Sequence, residues 1–169
     1  MGNFKLDKRG VGKIRSMLKH QVAQVQKKLA REAYDYFLDF GYHKDGGGVE
    51  WGGGGWSLYY LSNWNVGINQ IDITVTPPVR IPSQHNYRGN VDYEKAKWIT
   101  DEAEFGDTIT VTNSVRYGRV LNDGGFFDEV GEFDHEFCIP NHFIEQCLDH
   151  IEQNAENIVK QVAKECPEL

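Results

Sequence analysis

Four side chains of the kind that hold zinc fall within 13 residues of one another: Cys138, His142, Cys147 and His150. Zinc takes thiolate sulfur and imidazole nitrogen in a tetrahedral shell, so the residue types are suitable. The spacing is less so. Cys147 and His150 stand three apart on a helical pattern and could chelate together, but Cys147 also lies in an apolar stripe between Ile144 and Ile151, where a small buried thiol is common. Neither a Cys-x-x-Cys knuckle nor a His-Glu-x-x-His helix is present. The sequence therefore predicts no metal and no cofactor, with these four residues as the candidates for a small metal-binding protein or hydrolase. Three cysteines, Cys138, Cys147 and Cys166, allow at most one bridge and no disulfide framework.

Other chemistry is weaker. Residues 46–55 contain seven glycines, but they follow a helical pattern and close on Trp56 instead of a Lys followed by Ser or Thr, so they read as a flexible loop and not a phosphate cradle. No serine sits in a Gly-x-Ser-x-Gly elbow. Asp128, Glu129, Glu132, Asp134 and Glu136 could be imagined as paired carboxylates and read more simply as a solvated acidic stretch. Lys13, Arg15, Lys19, Lys27, Lys28 and Arg31 could neutralise phosphates, yet no aromatics are interleaved with them as in single-strand binders. A DNA-binding module using this basic segment is the other alternative. No nucleophile, base and orienting group stand in recognisable order, so the chain is not expected to be an enzyme.

The elements that must position these residues follow from periodicity. Val11, Ile14, Leu18, Val22, Val25, Leu29, Ala33 and Phe37 recur at steps of three and four, predicting one amphipathic helix to about Phe40 with Gly41 as its cap. Aromatics then crowd residues 56–61. Trp64, Val66 and Ile68 alternate with polar residues, and Ile71, Ile73 and Val75 do so again after Asn69-Gln70, which predicts a β-hairpin closed by Pro77-Pro78. Residues 77–100 lack a clear period and read as a long irregular loop whose Tyr87, Tyr93 and Trp98 order against a neighbour. A strand is expected at residues 108–112, a short helix or turn before Gly124-Gly125, and a second amphipathic helix from Phe143 to Val162. The reading is a single α+β domain over residues 1–169: a small antiparallel sheet packed against the N-terminal and C-terminal helices, with Trp64, Val66, Ile73, Val75, Ile109 and Val111 on its buried face.

The net charge of −7 hides a split. Residues 1–31 carry +8 and the remainder −15. No apolar run is long enough to cross a membrane and no secretory pattern opens the chain, which predicts synthesis in a cytoplasm and no membrane partner.

The order of these elements, and two stretches in particular, resembles the phage tail-completion or head-tail joining proteins, the minor-tail-protein-Z-like family of long-tailed phages. One stretch is Gly55-Trp56-Ser57-Leu58-Tyr59-Tyr60-Leu61-Ser62-Asn63-Trp64-Asn65-Val66. The other is Gly106-Asp107-Thr108-Ile109-Thr110-Val111-Thr112-Asn113-Ser114-Val115-Arg116-Tyr117, followed by Leu121-Asn122-Asp123-Gly124. The glycine run and residues 77–100 depart from the family pattern. The resemblance implies a structural virion protein of the neck, without catalysis or cofactor. It implies a ring of identical subunits, expected to be a hexamer, joined to head-closure or connector proteins on one side and tail terminator or tube proteins on the other. DNA would pass the lumen without specific binding, which an acidic body favours. Trp56, Trp64, Asn113, Tyr117, Gly124, Tyr87 and Trp98 are the expected structural and interface residues. Asn113 is suited to end a strand by an Asx turn, and Gly124 to take positive φ.

Overall fold

The computed structural model describes residues 8–42, 58–76, 79–80, 87–88, 92–115, 118–127, 133–136 and 142–166. Its elements are α1 (Lys8–Tyr42), α2 (Leu58–Leu61), β1 (Trp64–Ile68), β2 (Val79–Arg80), β3 (Tyr87–Arg88), α3 (Lys95–Asp101), β4 (Ile109–Asn113), α4 (Gly118–Asp123), β5 (Gly125–Phe127), β6 (Phe133–Glu136) and α5 (Phe143–Glu165). The architecture is α+β, with α1 and α5 packed on a two-stranded antiparallel sheet as expected.

That sheet pairs β1 with β4, in the register Trp64↔Asn113, Val66↔Val111 and Ile68↔Ile109. Strand residues alternate between faces, so these six line one face and Asn65, Gly67, Thr110 and Thr112 the other. The first face meets the core. Trp64 and Val66 are buried there, while Ile109 and Val111 are half-buried against the same cluster. The Phe37 ring of α1 stacks on Trp64 at 4.0 Å, and the edges of Tyr60 and Phe143 close round it at 6.0 and 6.3 Å. Edge-to-face and offset contacts of this kind add to what burial of large rings already contributes.

The predicted hairpin does not form. Asn69 adopts a left-handed conformation, φ 57°, and turns the chain over the second face of the sheet instead of alongside its edge. Residues 70–76 then lie across that face, held by side chains. Thr110 and Thr112 donate through Oγ1 to the carbonyls of Gln70 (2.8 Å) and Asp72 (2.7 Å), and Asn65 and Asn63 donate through Nδ2 to those of Thr74 (2.7 Å) and Thr76 (3.3 Å). Asn63 Oδ1 also accepts the Thr76 N–H at 2.6 Å. Every second carbonyl is thus satisfied without a backbone ladder. The approach is so close that a Cβ on Gly67 would stand 2.3 Å from the Gln70 carbonyl oxygen. It is the carbonyls of Gln70, Asp72, Thr74 and Thr76 that face the sheet, and Ile71, Ile73 and Val75 are exposed, contrary to the burial expected of Ile73 and Val75.

Helix α1 runs through Gly41 to Tyr42, so Gly41 does not end it. Helix α5 lies antiparallel beside it. Gln21 donates to the Cys166 carbonyl at one end, Lys28 pairs with Glu165 at 2.8 Å, and Glu32 and Tyr36 meet His150 toward the other end. The long stretch expected to be irregular contains β2 paired with β3 and the helix α3, whose Ala96 and Thr100 are buried. Part of the acidic stretch is β6, paired with β5. The glycine run 46–55 lies outside the described residues.

The N-terminal half of the apolar stripe of α1 does not face the sheet, whereas its last members do reach the core: Phe37 stacks on Trp64 and Ala33 packs against the same cluster. The buried side chains are Ala23, Lys27, Tyr34, Phe37 and Leu38, on a different side of the helix from Val11, Ile14, Leu18 and Val22, which are all exposed. The helical row of Val11, Ile14, Leu18 and Val22 continues through Val25 and Leu29 to Glu32 and Tyr36, which touch α5, while the predicted stripe turns off this row at Ala33 and Phe37 toward the core. Helix α5 ends beside Gln21, and upstream of that point the row has no cover among the described residues.

Candidate functional site

Of the four zinc-type residues, Cys138 lies outside the described part. His142 is exposed at the start of α5 in a left-handed conformation, φ 48°. Cys147 is buried between the two long helices, its Sγ directed at the Ala33 carbonyl at 4.0 Å. Burial, with the Glu32 carboxylate nearby, pushes its thiol up to about 11, away from the thiolate that a metal would need. His150 is occupied as well: Nε2 is 2.8 Å from Glu32 Oε1, Asn154 Nδ2 approaches both ring nitrogens, and Tyr36 packs against the ring. Among the described residues no three His, Cys, Asp or Glu side chains are grouped to hold a metal ion. What Cys147 and His150 do together is fasten α5 to α1.

The basic residues divide in the same way. Lys27 is buried and donates to the Asp101 carbonyl at 2.9 Å, while Arg31 donates to Thr100 Oγ1 at 2.7 Å and pairs with the Asp101 carboxylate. Both sit at the C-terminal end of α3, where orphan carbonyls and the negative pole of the helix favour cations. Lys28 is committed to Glu165. Three of the six candidates for phosphate contact are therefore spent inside the molecule. The others, Lys13, Arg15 and Lys19, stand on the uncovered part of α1, Lys19 lying 5.3 Å from the Phe105 ring centre.

Of the residues singled out by the resemblance, two meet. Trp64 and Asn113 are direct cross-strand partners. Asn113 Oδ1 accepts the Val115 N–H at 3.1 Å, the Asx turn expected of it, and its Nδ2 reaches back 2.8 Å to the Tyr60 carbonyl. Gly124 takes φ 82° where α4 gives way to β5. Trp98 is exposed, with the Lys97 ammonium 5.9 Å from its ring centre, and the backbone of Tyr87 pairs with Arg80. Trp56 and Tyr117 lie outside the described residues.

One residue in the second stretch has a role that sequence reasoning missed. Asn122 is buried, and its Oδ1 accepts the Ile144 N–H at 3.0 Å while its carbonyl accepts that of His142 at 3.0 Å. It caps the start of α5 from a distance of 20 residues in sequence, work a local Ser or Asp normally does. The absence of such a residue at position 142, where His stands, was the available signal.

The fold is α+β, and within it Lys27, Lys28, Arg31, Asn113, Asn122, Cys147 and His150 make contacts that join one element to another. Comparison with family models, with curated proteins and with solved structures returns no match for this chain.

Proposed function

We propose that the chain is a structural protein of a phage neck, assembling as a ring of identical subunits that joins the DNA-filled head to the tail. The observation that carries this reading is the meeting of its two family-like stretches. The two stretches are far apart in sequence, yet residues 64–66 of the first and 111–113 of the second pair as antiparallel strands, with Trp64 opposite Asn113 and Asn113 bonded back to Tyr60. Residues whose spacing carries a resemblance are thereby joined in one structural unit, which a chance likeness of two separate segments gives no reason to expect.

The surface fits an assembly role. Ile71, Ile73 and Val75 on one segment and Val11, Ile14, Leu18 and Val22 on another are exposed aliphatic rows, and contiguous apolar surface of this kind marks contact sites. An acidic remainder of the chain would let DNA pass without adhering.

The test is the mass of the purified chain, alone and mixed with head-closure and tail components of a long-tailed phage, with negative-stain imaging of any complex. Rings that join those components support the reading. A monomer that binds none of them, or a hydrolytic activity lost on metal removal, overturns it.

A further inference from the structure

We propose that the uncovered N-terminal part of α1 docks on the outer face of α5 in a second copy of this chain, a head-to-tail contact. The donor surface is the exposed row Val11, Ile14, Leu18 and Val22, whose first three members lie beyond the point where the chain's own α5 ends and whose last stands beside it. Arg15 stands four residues after Val11 and Lys19 three before Val22, so both flank the row on the helix surface. Residues 8–22 hold five bases and no acid.

The acceptor surface has the matching pattern. Ile144, Leu148 and Val159 are exposed along α5. Glu152 follows Leu148 by four residues and Glu156 precedes Val159 by three, so an acidic edge borders the apolar one; Glu156 makes an exposed pair with Lys160 at 2.7 Å. The lengths agree as well: at 1.5 Å per residue the arm row spans roughly 17 Å and the acceptor row roughly 22 Å.

Charge selects this occupant over the others. Two arms laid against each other would join like charges, whereas arm on α5 joins opposite ones and excludes water from aliphatic surface on both sides. Within one molecule α1 already packs on α5 and pairs Lys28 with Glu165, so the proposed contact repeats between copies the chemistry used within one. Because the two surfaces differ, the contact is heterologous: it closes into a ring or runs on as a filament. The inference rests on the proposed ring only for closure.

The experiment measures the mass of the full chain by sedimentation over a range of concentrations. It compares wild type with the arm pair Arg15→Glu/Lys19→Glu and the face pair Glu152→Lys/Glu156→Lys, each checked for native circular dichroism. Expected are self-association of wild type, loss of the larger species by either variant alone, and its return when the two are mixed in equal amounts, since basic arm then meets acidic face and acidic arm meets basic face. Leu18→Ser and Leu148→Ser provide the same test without charge reversal and should each lose the larger species. A wild type that stays monomeric, a variant that assembles unchanged, or a mixture that stays dissociated overturns the proposal. So does an arm that binds duplex DNA or anionic vesicles while assembly ignores the α5 variants. An oligomer made by this contact that ignores neck components would defeat the neck reading and leave the contact standing. A neck ring indifferent to all four variants would do the reverse.

Discussion

Helix α1 is one continuous element of 35 residues with two environments. Between Ala23 and Leu38 it is the centre of the molecule, with α3 and the sheet on one side and α5 on another. Upstream of Gln21 the same row of aliphatic side chains continues into solvent. A helical period records that a side of the helix is apolar; it does not record what covers that side, or whether the cover belongs to the same chain.

The largest difference between the two halves should appear on truncation. Trp64→Ala removes the indole on which Phe37, Tyr60 and Phe143 pack and should cost about 3–5 kcal/mol in urea unfolding, whereas Leu18→Ala should change stability by less than about 0.5 kcal/mol. Equal effects would remove the distinction. A step smaller, Gly67→Ala forces a methyl against the Gln70 carbonyl and should cost about 1–3 kcal/mol by lifting residues 70–76 from the sheet; an unchanged midpoint would show that this segment is not held there. Lys27→Gln, a surface change by the sequence alone, removes a buried cation from the end of α3 and should cost roughly 1–2 kcal/mol, while Lys13→Gln on the arm should be silent.

The smallest effect concerns pH. The thiol of Cys147 is raised in the folded state, so the folded chain holds that proton more tightly than the unfolded one. Its contribution is complete below the ordinary thiol value and is lost as pH rises through about 11. In a variant with Cys138 and Cys166 changed to serine, the remaining thiol should react with a disulfide reagent at pH 8 far more slowly than after denaturation, and Cys147→Ser should flatten the alkaline fall in stability. Fast labelling of the native variant would place Cys147 outside the helix interface.

Much of the fold was legible because it rests on local signals. The long helices, the strand ending at Asn113 and the positive φ of Gly124 follow from period and turn chemistry. Two features were not legible, for a shared reason. The alternation of Ile71, Ile73 and Val75 is that of a strand, but its partner is a face of Asn and Thr side chains, and nothing in residues 70–76 encodes that substitution for a ladder. Lys27 and Asn122 read as surface polar residues, yet each satisfies a helix end that is distant in sequence. Of the candidate site, the types of Cys147 and His150 were visible and their use was not, since Glu32, which engages His150, comes from the other end of the chain.

The division of α1 is tested most directly by amide hydrogen exchange on the wild-type chain, first at a dilution where scattering gives the monomer mass and then where it is assembled. In the monomer, residues 23–38 should exchange slowly and residues 9–20 quickly, because the latter have few buried contacts to lose on opening; assembly should slow residues 9–20 alone within α1. Residues 9–20 as protected in the monomer as residues 23–38, or unprotected in the assembly, would contradict a helix that is half core and half exposed arm.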